Sequence, residues 1–422
     1  MESLEAEIKE RIEMIGRGEV PEGYKEKLDR IIPADWDIKK LHQLVNKIVG
    51  GGTPSRSKPH YFNGDIPWAT VKDLSEDNYK RNTLESISRE GLRNSTSKVV
   101  EKNNFIISTR MGLGRGFINK VDMAINQDLK GLYPNKSKVD VIYLMYWYKY
   151  NSIIVERLGV GSTVKGINLK TLRNMLIPHP PLSEQQKIAQ TLTTWDEVIE
   201  LKEKLIEEKK EQKKGLMQKL LTGDVRLPGF DGEWEEVRLR EVLFFPKKEA
   251  VQYPQEYYLL TVKLHLNGVE ATDKKPNKTK RSRPYYIRKP KELLIGRQNF
   301  HNGGIGIVPD EMENYIASNA ISSLNAKKGD IKFYYFYLSN ANFYKKIGHI
   351  IGGTGQKEIS ETELKNLKLT IPKYIQEQKA IAQILSTADK EIDLLEEELE
   401  LLKLQKKGLM QLLLTGIIRV KC

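Results

Sequence analysis

A chain of 422 residues is long enough for two or three domains with separate cores, and its single cysteine, Cys422, excludes an intrachain disulfide or a cysteine-built zinc or iron–sulfur site. The most apolar run, Val139–Tyr148, is too short to cross a bilayer, and the charged opening MESLEAEIKERIE has no signal-peptide core, so the sequence reads as a cytoplasmic protein with no membrane partner. A formal net charge of +13 and a pI near 9.3 attract polyanions, which suits nucleic acid but also acidic proteins, so charge alone does not decide.

Residues 1–33 read as an N-terminal helical segment, and 34–182 as a first globular domain opening on Trp36-Asp-Ile-Lys-Lys-Leu41. In that domain the β-rich run 104–108 leads into the glycine-dense loop Met111–Gly116, the pattern of strand, turn, strand. The aromatic-rich stretch after Asp140 is expected to be a buried helix on a sheet rather than a set of base-stacking rings. Basic, amide and hydroxyl side chains near glycine turns make Ser55, Arg56, Lys58, Lys72, Arg110, Arg115, Asn126 and Gln127 candidate DNA contacts.

Residues 183–226 predict a long helix. Ser183 and Gln186 have capping-box spacing after Pro180-Pro181, and Gly223 stands where a C-terminal cap glycine belongs. Apolar positions then recur at 4,3 spacing: Ile188, Leu192, Trp195, Ile199, Ile206, Leu216 and Leu220, with Lys202, Lys209 and Lys213 breaking the middle. This is a coiled-coil seam.

A second globular domain, 227–374, opens on Trp234-Glu-Glu-Val-Arg-Leu239 and repeats the run of the first from Asp330 onward. Its densest basic run, Lys274–Lys291, carries nine lysines and arginines and no acid. Such a run is either a solvated loop or a phosphate grip beside which an arginine donates to guanine through two of its guanidinium nitrogens. The candidates there are Lys263, Lys280, Arg281, Arg283, Arg297, Asn299 and Lys357.

Residues 375–422 predict the second long helix, and it is a copy of the first. Glu377–Arg419 aligns without a gap on Glu184–Arg226 at a shift of 193, with 25 of 43 positions identical, far above chance. Roughly 38 helical residues make a rod of about 57 Å that is not stable alone. The two seams are therefore expected to pair antiparallel. In both copies a glycine interrupts the helix, and Gly215, Leu216, Met217, Gly408, Leu409 and Met410 read either as an early helix end or as a surface for docking a partner helix. The resulting fold class is a tandem α/β (α+β) repeat: two globular domains separated by two long helices forming an antiparallel coiled coil.

Reaction motifs are missing from the sequence. Ile177-Pro-His-Pro-Pro181 lacks the amide or carboxylate and the aromatic of a methyltransferase motif; Gly112–Gly116 lacks GxGxxG spacing; Gly352–Lys357 lacks a P-loop ending; and the six histidines form no metal-ligand pair. No cofactor and no metal are expected.

Together, Gly50-Gly-Gly-Thr-Pro-Ser55, Ile66-Pro-Trp-Ala-Thr-Val-Lys-Asp-Leu74, Asn126-Gln127, Gly161-Ser-Thr-Val-Lys165 and above all Pro180-Pro-Leu-Ser-Glu-Gln-Gln-Lys-Ile-Ala189 resemble the specificity subunit of type I DNA restriction-modification systems. The resemblance implies two target-recognition domains, each reading half of a split double-stranded DNA sequence, with the helices as ruler. It also implies two DNA adenine methyltransferase subunits, which bind S-adenosylmethionine, and ATP-dependent restriction-translocase subunits. The second domain departs from the pattern, with Leu259-Leu-Thr-Val-Lys263 and Asn319-Ala320 in place of the Ile-Pro-Trp and Asn-Gln strings. Two other readings remain: a self-contained restriction or methylation enzyme, and a coiled-coil scaffold without a DNA role.

Overall fold

Runs of alternating and continuous apolar residues dictate the layers of the first globular domain. The computed structural model describes residues 2–161, 165–276, 283–350 and 358–420. They divide into two compact units, Met1–Leu201 with Leu399–Cys422, and Lys202–Glu398.

In the first unit the strands β1 (Val45–Gly50), β2 (Phe62–Ala69), β3 (Tyr79–Lys80), β4 (Glu85–Ile87), β5 (Lys98–Val100), β6 (Phe105–Ser108), β7 (Gly116–Asn119), β8 (Met123–Ile125) and β9 (Leu129–Pro134) form two sheets. One has the order β1-β9-β6-β7-β3 and the other β4-β2-β8-β5. Strand β6 is buried on both faces, which its unbroken apolar run requires. Ile106 packs with Ala69, Val100, Phe117 and Met123, residues drawn from both sheets, while Phe105 and Ile107 pack with the helix α1 (Val141–Tyr150).

Asp140 caps α1 by accepting from the Ile142 and Tyr143 amides, and Tyr143 through Tyr148 are all buried. The aromatic stretch is thus a core helix, as expected. Its hydroxyls find partners as they must in a dry interior: Tyr143 donates to the Pro178 carbonyl at 2.9 Å and Tyr148 to that of Ser108 at 3.3 Å. A two-stranded ribbon of Asp37–Lys40 and Leu176–His179 joins the start of the domain to its exit.

In the second unit β10 (Leu243–Phe244), β11 (Leu293–Gly296), β12 (Ile305–Ile307) and β13 (Ile321–Ala326) run in the order β10-β13-β11-β12, and two further strand pairs, Leu260–Val262 with Val269–Ala271 and Tyr285–Arg288 with Tyr315–Ser318, accompany them. Helix α2 (Ile331–Ser339), capped by Asp330, buries Phe333, Tyr334, Phe336 and Leu338. Trp234–Arg238 pairs with Lys368–Pro372 as the closing ribbon.

Two helices dominate the chain, α3 (Leu182–Leu220) and α4 (Ile375–Leu414), of 39 and 40 residues. In the first unit Ile188 and Leu192 of α3 share a core with Leu413 and Leu414 of α4. In the second, Leu220 shares one with Ile381 and Leu385. Within that unit Lys202 meets Glu398 at 2.8 Å, Lys209 meets Glu391 at 2.5 Å and Lys213 meets Asp389, so one number rises as the other falls: the pairing is antiparallel, as expected. The lysines that interrupt the seam keep their stems in it and send their ammonium groups to acids of the other helix.

Two expectations are corrected and one of two alternatives is excluded. The segment 1–33, expected to be helical, is helix only over Glu2–Gly16, while Tyr24–Lys27 and Arg30–Pro33 pair as antiparallel strands. Helix α3 starts at Leu182, with the Pro181 carbonyl accepting from the Gln185 amide, so Ser183 lies inside the first turn rather than at the cap. Neither Gly215 nor Gly408 ends its helix, and nothing lies within 4 Å of a Cβ built on either.

Candidate nucleic-acid interface

Four loops converge at one end of the first unit's sheets. The turn after β1 runs so close to the turn after β8 that a Cβ on Gly51 would overlap the Ile125 carbonyl, and one on Gly52 would overlap Thr96. Only glycine permits that approach. The two turns are then fastened by Thr53, whose hydroxyl donates to Gln127 Oε1 at 2.6 Å. Asn126, expected among the contacts, is buried: its amide donates to Asp128 Oδ2 at 3.0 Å and its oxygen accepts from the Asp128 amide at 3.1 Å. It shapes the turn that presents Gln127 rather than facing a ligand.

The loop between β6 and β7 joins through Thr109, whose amide and hydroxyl both donate to the Asp128 carbonyl, and through a bridge between Arg110 and Gly166. Arg110 stands 4.0 Å from Asp128 with 62% of its side chain exposed. Lys130 reaches the Gln127 carbonyl at 3.2 Å; burial, reinforced by Arg110, pulls its ammonium below the usual lysine range while Asp128 opposes this. Arg115 and Gln127 are exposed. Lys165, also exposed, is a cation the sequence reading missed, although the Gly-Ser-Thr-Val-Lys string pointed at it.

On the neighbouring β2–β4 edge, Arg56 does not simply face solvent. Its guanidinium lies 4.4 Å from the Phe62 ring centre and 5.3 Å from that of Trp68, and bonds Glu85 at 2.6 Å. That arginine, with Lys72 beside it, holds the Glu85 carboxyl below its ordinary range. Lys72 is exposed on a turn capped by Thr70 and tied by the buried Asp73 carboxylate to the Leu84 amide. Ser55 bonds Ser57 at 2.8 Å, and Lys58 donates to Tyr61 at 3.0 Å, a bond that raises the lysine.

In the second unit the candidates are more often occupied. Arg297 and Gln298 both bond Glu358, at 2.9 and 3.2 Å, and Lys263 pairs with Glu270 at 2.8 Å across a hairpin. Asn299 and Arg283 are exposed. Lys280, Arg281 and Lys357 lie outside the described residues. Within the basic run Arg288 is buried, donating to the Ser318 and Ile321 carbonyls at 3.0 and 2.7 Å, and burial brings it down to about 10. Part of that run is structure, not grip.

Of the residues expected to dock a partner, Met217 packs on the second unit's core and Leu409 and Met410 on the first unit's, while Leu216 is 37% exposed and Gly215 and Gly408 face open space. The helix ends are held by residues the sequence reading did not single out. Arg226 makes a two-bond fork to Glu377, at 2.7 and 2.8 Å, and Arg419 makes the same fork to Glu184, at 2.6 and 2.7 Å. These four are the identical residues that bound the 43-position repeat, which was the available signal.

No helix among the described residues is long and apolar enough to cross a membrane. The family model of the type I restriction modification DNA specificity domain matches residues 33–210 and again 231–404. Among curated proteins, the type I restriction enzyme MjaVIII specificity subunit of Methanocaldococcus jannaschii is 26% identical over 423 residues, covering 95% of this chain and 97% of that one. The EcoR124I/EcoR124II specificity subunit of Escherichia coli is 29% identical over 179 residues, 41% of this chain and 44% of that one. The crystal structure of the type I restriction-modification S subunit from M. genitalium has the same fold, with a TM-score of 0.56 at 17% identity over 94% of this chain and 100% of that one. With both copies of the module matched and a relative of the same kind aligned along its whole length, this chain belongs to the type I restriction modification DNA specificity family.

Proposed function

We propose that this specificity subunit recognises a bipartite double-stranded DNA target, each globular domain reading one half, while α3 and α4 set the spacing and dock two DNA adenine methyltransferase subunits. ATP-dependent restriction-translocase subunits complete the assembly, and the chemistry belongs to these partners. One observation carries the reading: a duplicated scaffold keeps its closing ribbon, capped aromatic helix and Arg–Glu fork in both copies, yet the loops at the sheet ends carry different polar sets. In the first unit that set is Lys72, Arg110, Arg115, Gln127 and Lys165; in the second it includes Arg283 and Asn299. Positions that read sequence must differ between half-sites, whereas frame positions need not.

Docking is supported by apolar side chains that the seam leaves uncovered on the long helices. Leu201 and Leu394, equivalent in the repeat, are each 65% exposed, and Leu401 and Leu404 are 59% and 66% exposed.

The test is methylation mapping of DNA from cells carrying the chain with its partners, before and after exchanging residues 34–182 for those of another such subunit. One half of the adenine-methylated motif changes and the other stays. A change in both halves at once sinks the two-reader account.

A further inference from the structure

The loop between β6 and β7 holds one apolar side chain out in solvent, and holds it firmly. Met111 is 58% exposed and sits at φ +51°, a left-handed conformation that glycine or asparagine adopts with less strain. The strain is not slackness. Leu113, two residues on, is 4% exposed and plugs the core beside α1, and a Cβ on Gly114 would press on Ser152 at 2.5 Å, so the loop is seated against the domain. The Ser108 hydroxyl donates to the Arg110 carbonyl, fixing the chain just before Met111. Arg110 and Arg115 flank the exposed thioether, both at the surface.

The second unit keeps the plug but not the methionine. Phe300 is fully buried in the corresponding loop, and two residues before it stands Gln298, bonded to Glu358. An apolar tip is therefore particular to the first domain.

We propose that Met111 is a wedge that enters a base step of the half-site read by the first domain, with Arg110 and Arg115 on the flanking phosphates. This rests on the reading that the first domain binds duplex DNA through this loop cluster. An unbranched, polarizable side chain on a rigid loop is suited to part a stacked step, and the energy of parting depends on the step, least for flexible pyrimidine–purine steps. Met111 thus contributes specificity without a hydrogen bond to any base.

The experiment uses the chain assembled with its methyltransferase partners and duplexes carrying the mapped target, with 2-aminopurine moved through the half-site that follows residues 34–182. Wild type raises the fluorescence at one step distinct from the methylated adenine. Met111→Ala and Met111→Gly, the latter at ease with φ +51°, both lose that rise and bind about tenfold more weakly. Met111→Leu retains both. Wild-type affinity and an unchanged rise in Met111→Ala, or a wild type whose only rise is at the methylated adenine itself, overturns the wedge while the two-reader account stands. An exchange of 34–182 that leaves both halves of the motif unchanged overturns that account instead.

Discussion

Lys149, at the end of α1, donates to the carbonyls of Glu76 and Asp77 at 2.8 and 3.1 Å and to Asn78 Oδ1 at 2.7 Å. Burial brings its ammonium down to about 8, helped by Lys406, while Glu76, Asp196 and Asp77 oppose the fall. The unfolded chain holds that proton to about 10.4, so below pH 8 folding confines a charge that water solvates better. The contribution of this group to stability therefore grows as pH rises from 8 and is lost as pH falls through 8. Stability of the first unit in urea is expected to rise by on the order of 2 kcal/mol between pH 7.5 and 9.5 and to stay nearly flat over that range in Lys149→Met. An equal slope in both proteins would falsify the assignment. Above pH 10 the trend reverses, because Tyr143 and Tyr146 are pushed far up by burial and resist the ionisation that the unfolded chain allows. Single-residue roles are where sequence reasoning was weakest. Arg56 and Asn126 have the side chains of DNA contacts, yet one is stacked on Phe62 beside Glu85 and the other is locked on Asp128. A residue type states what bonds are possible, and only the fold states which are already made.

At the scale of elements the sequence was far more legible, because periodicity encodes which face is covered. None of the ten seam positions of α4 is exposed, and in α3 only Leu216 is. The reason for lysine at three seam positions was not legible, since their partners, Glu398, Glu391 and Asp389, lie 176 to 196 residues away along the chain. Lys213 bonds Asp389 with its ammonium 5.7 Å from the Phe336 ring centre, and the repeat-equivalent Lys406 bonds Asp196 with its ammonium 5.5 Å from the Tyr146 ring centre. Around the first of these pairs the acids are crowded: Asp393 is raised by burial and then by Asp389 and Glu396. Lys213→Glu therefore adds a carboxylate to an acidic cluster instead of closing it, and it is expected to destabilise the second unit by about 2 kcal/mol. Adding Asp389→Lys reverses the polarity of the pair and is expected to recover at least half the loss, a coupling that urea unfolding of the two single variants and the double variant measures. Additive losses would mean that the pair does not act as one.

For the molecule as a whole, the repeat makes each unit from the start of one long helix and the end of the other, fastened by the same Arg–Glu fork. Glu184 and Glu377 are almost fully buried, so each fork commits a helix start to one position in its own unit. Gly223 and Gly416 turn the chain out of the helices with the same left-handed φ of +78°. A frame built this way leaves helix length free to change without disturbing how either domain is anchored, and that gives the ruler idea a sharp form. Seven residues inserted only after Leu205 displace every seam partner beyond the insertion and break the pairing of Lys209 with Glu391 and Lys213 with Asp389. Such a protein is expected to lose its antiparallel pairing and its methylation activity. Seven residues inserted after Leu205 and seven more after Glu397 restore the seam while lengthening the pair by about 10 Å. With base pairs about 3.4 Å apart, the methylated motif is then expected to keep both halves and gain a spacer longer by up to about 3 base pairs. Methylation mapping reads both the halves and the spacer at once. A paired insertion that folds, methylates and leaves the spacer unchanged would show that something other than α3 and α4 sets the distance between half-sites.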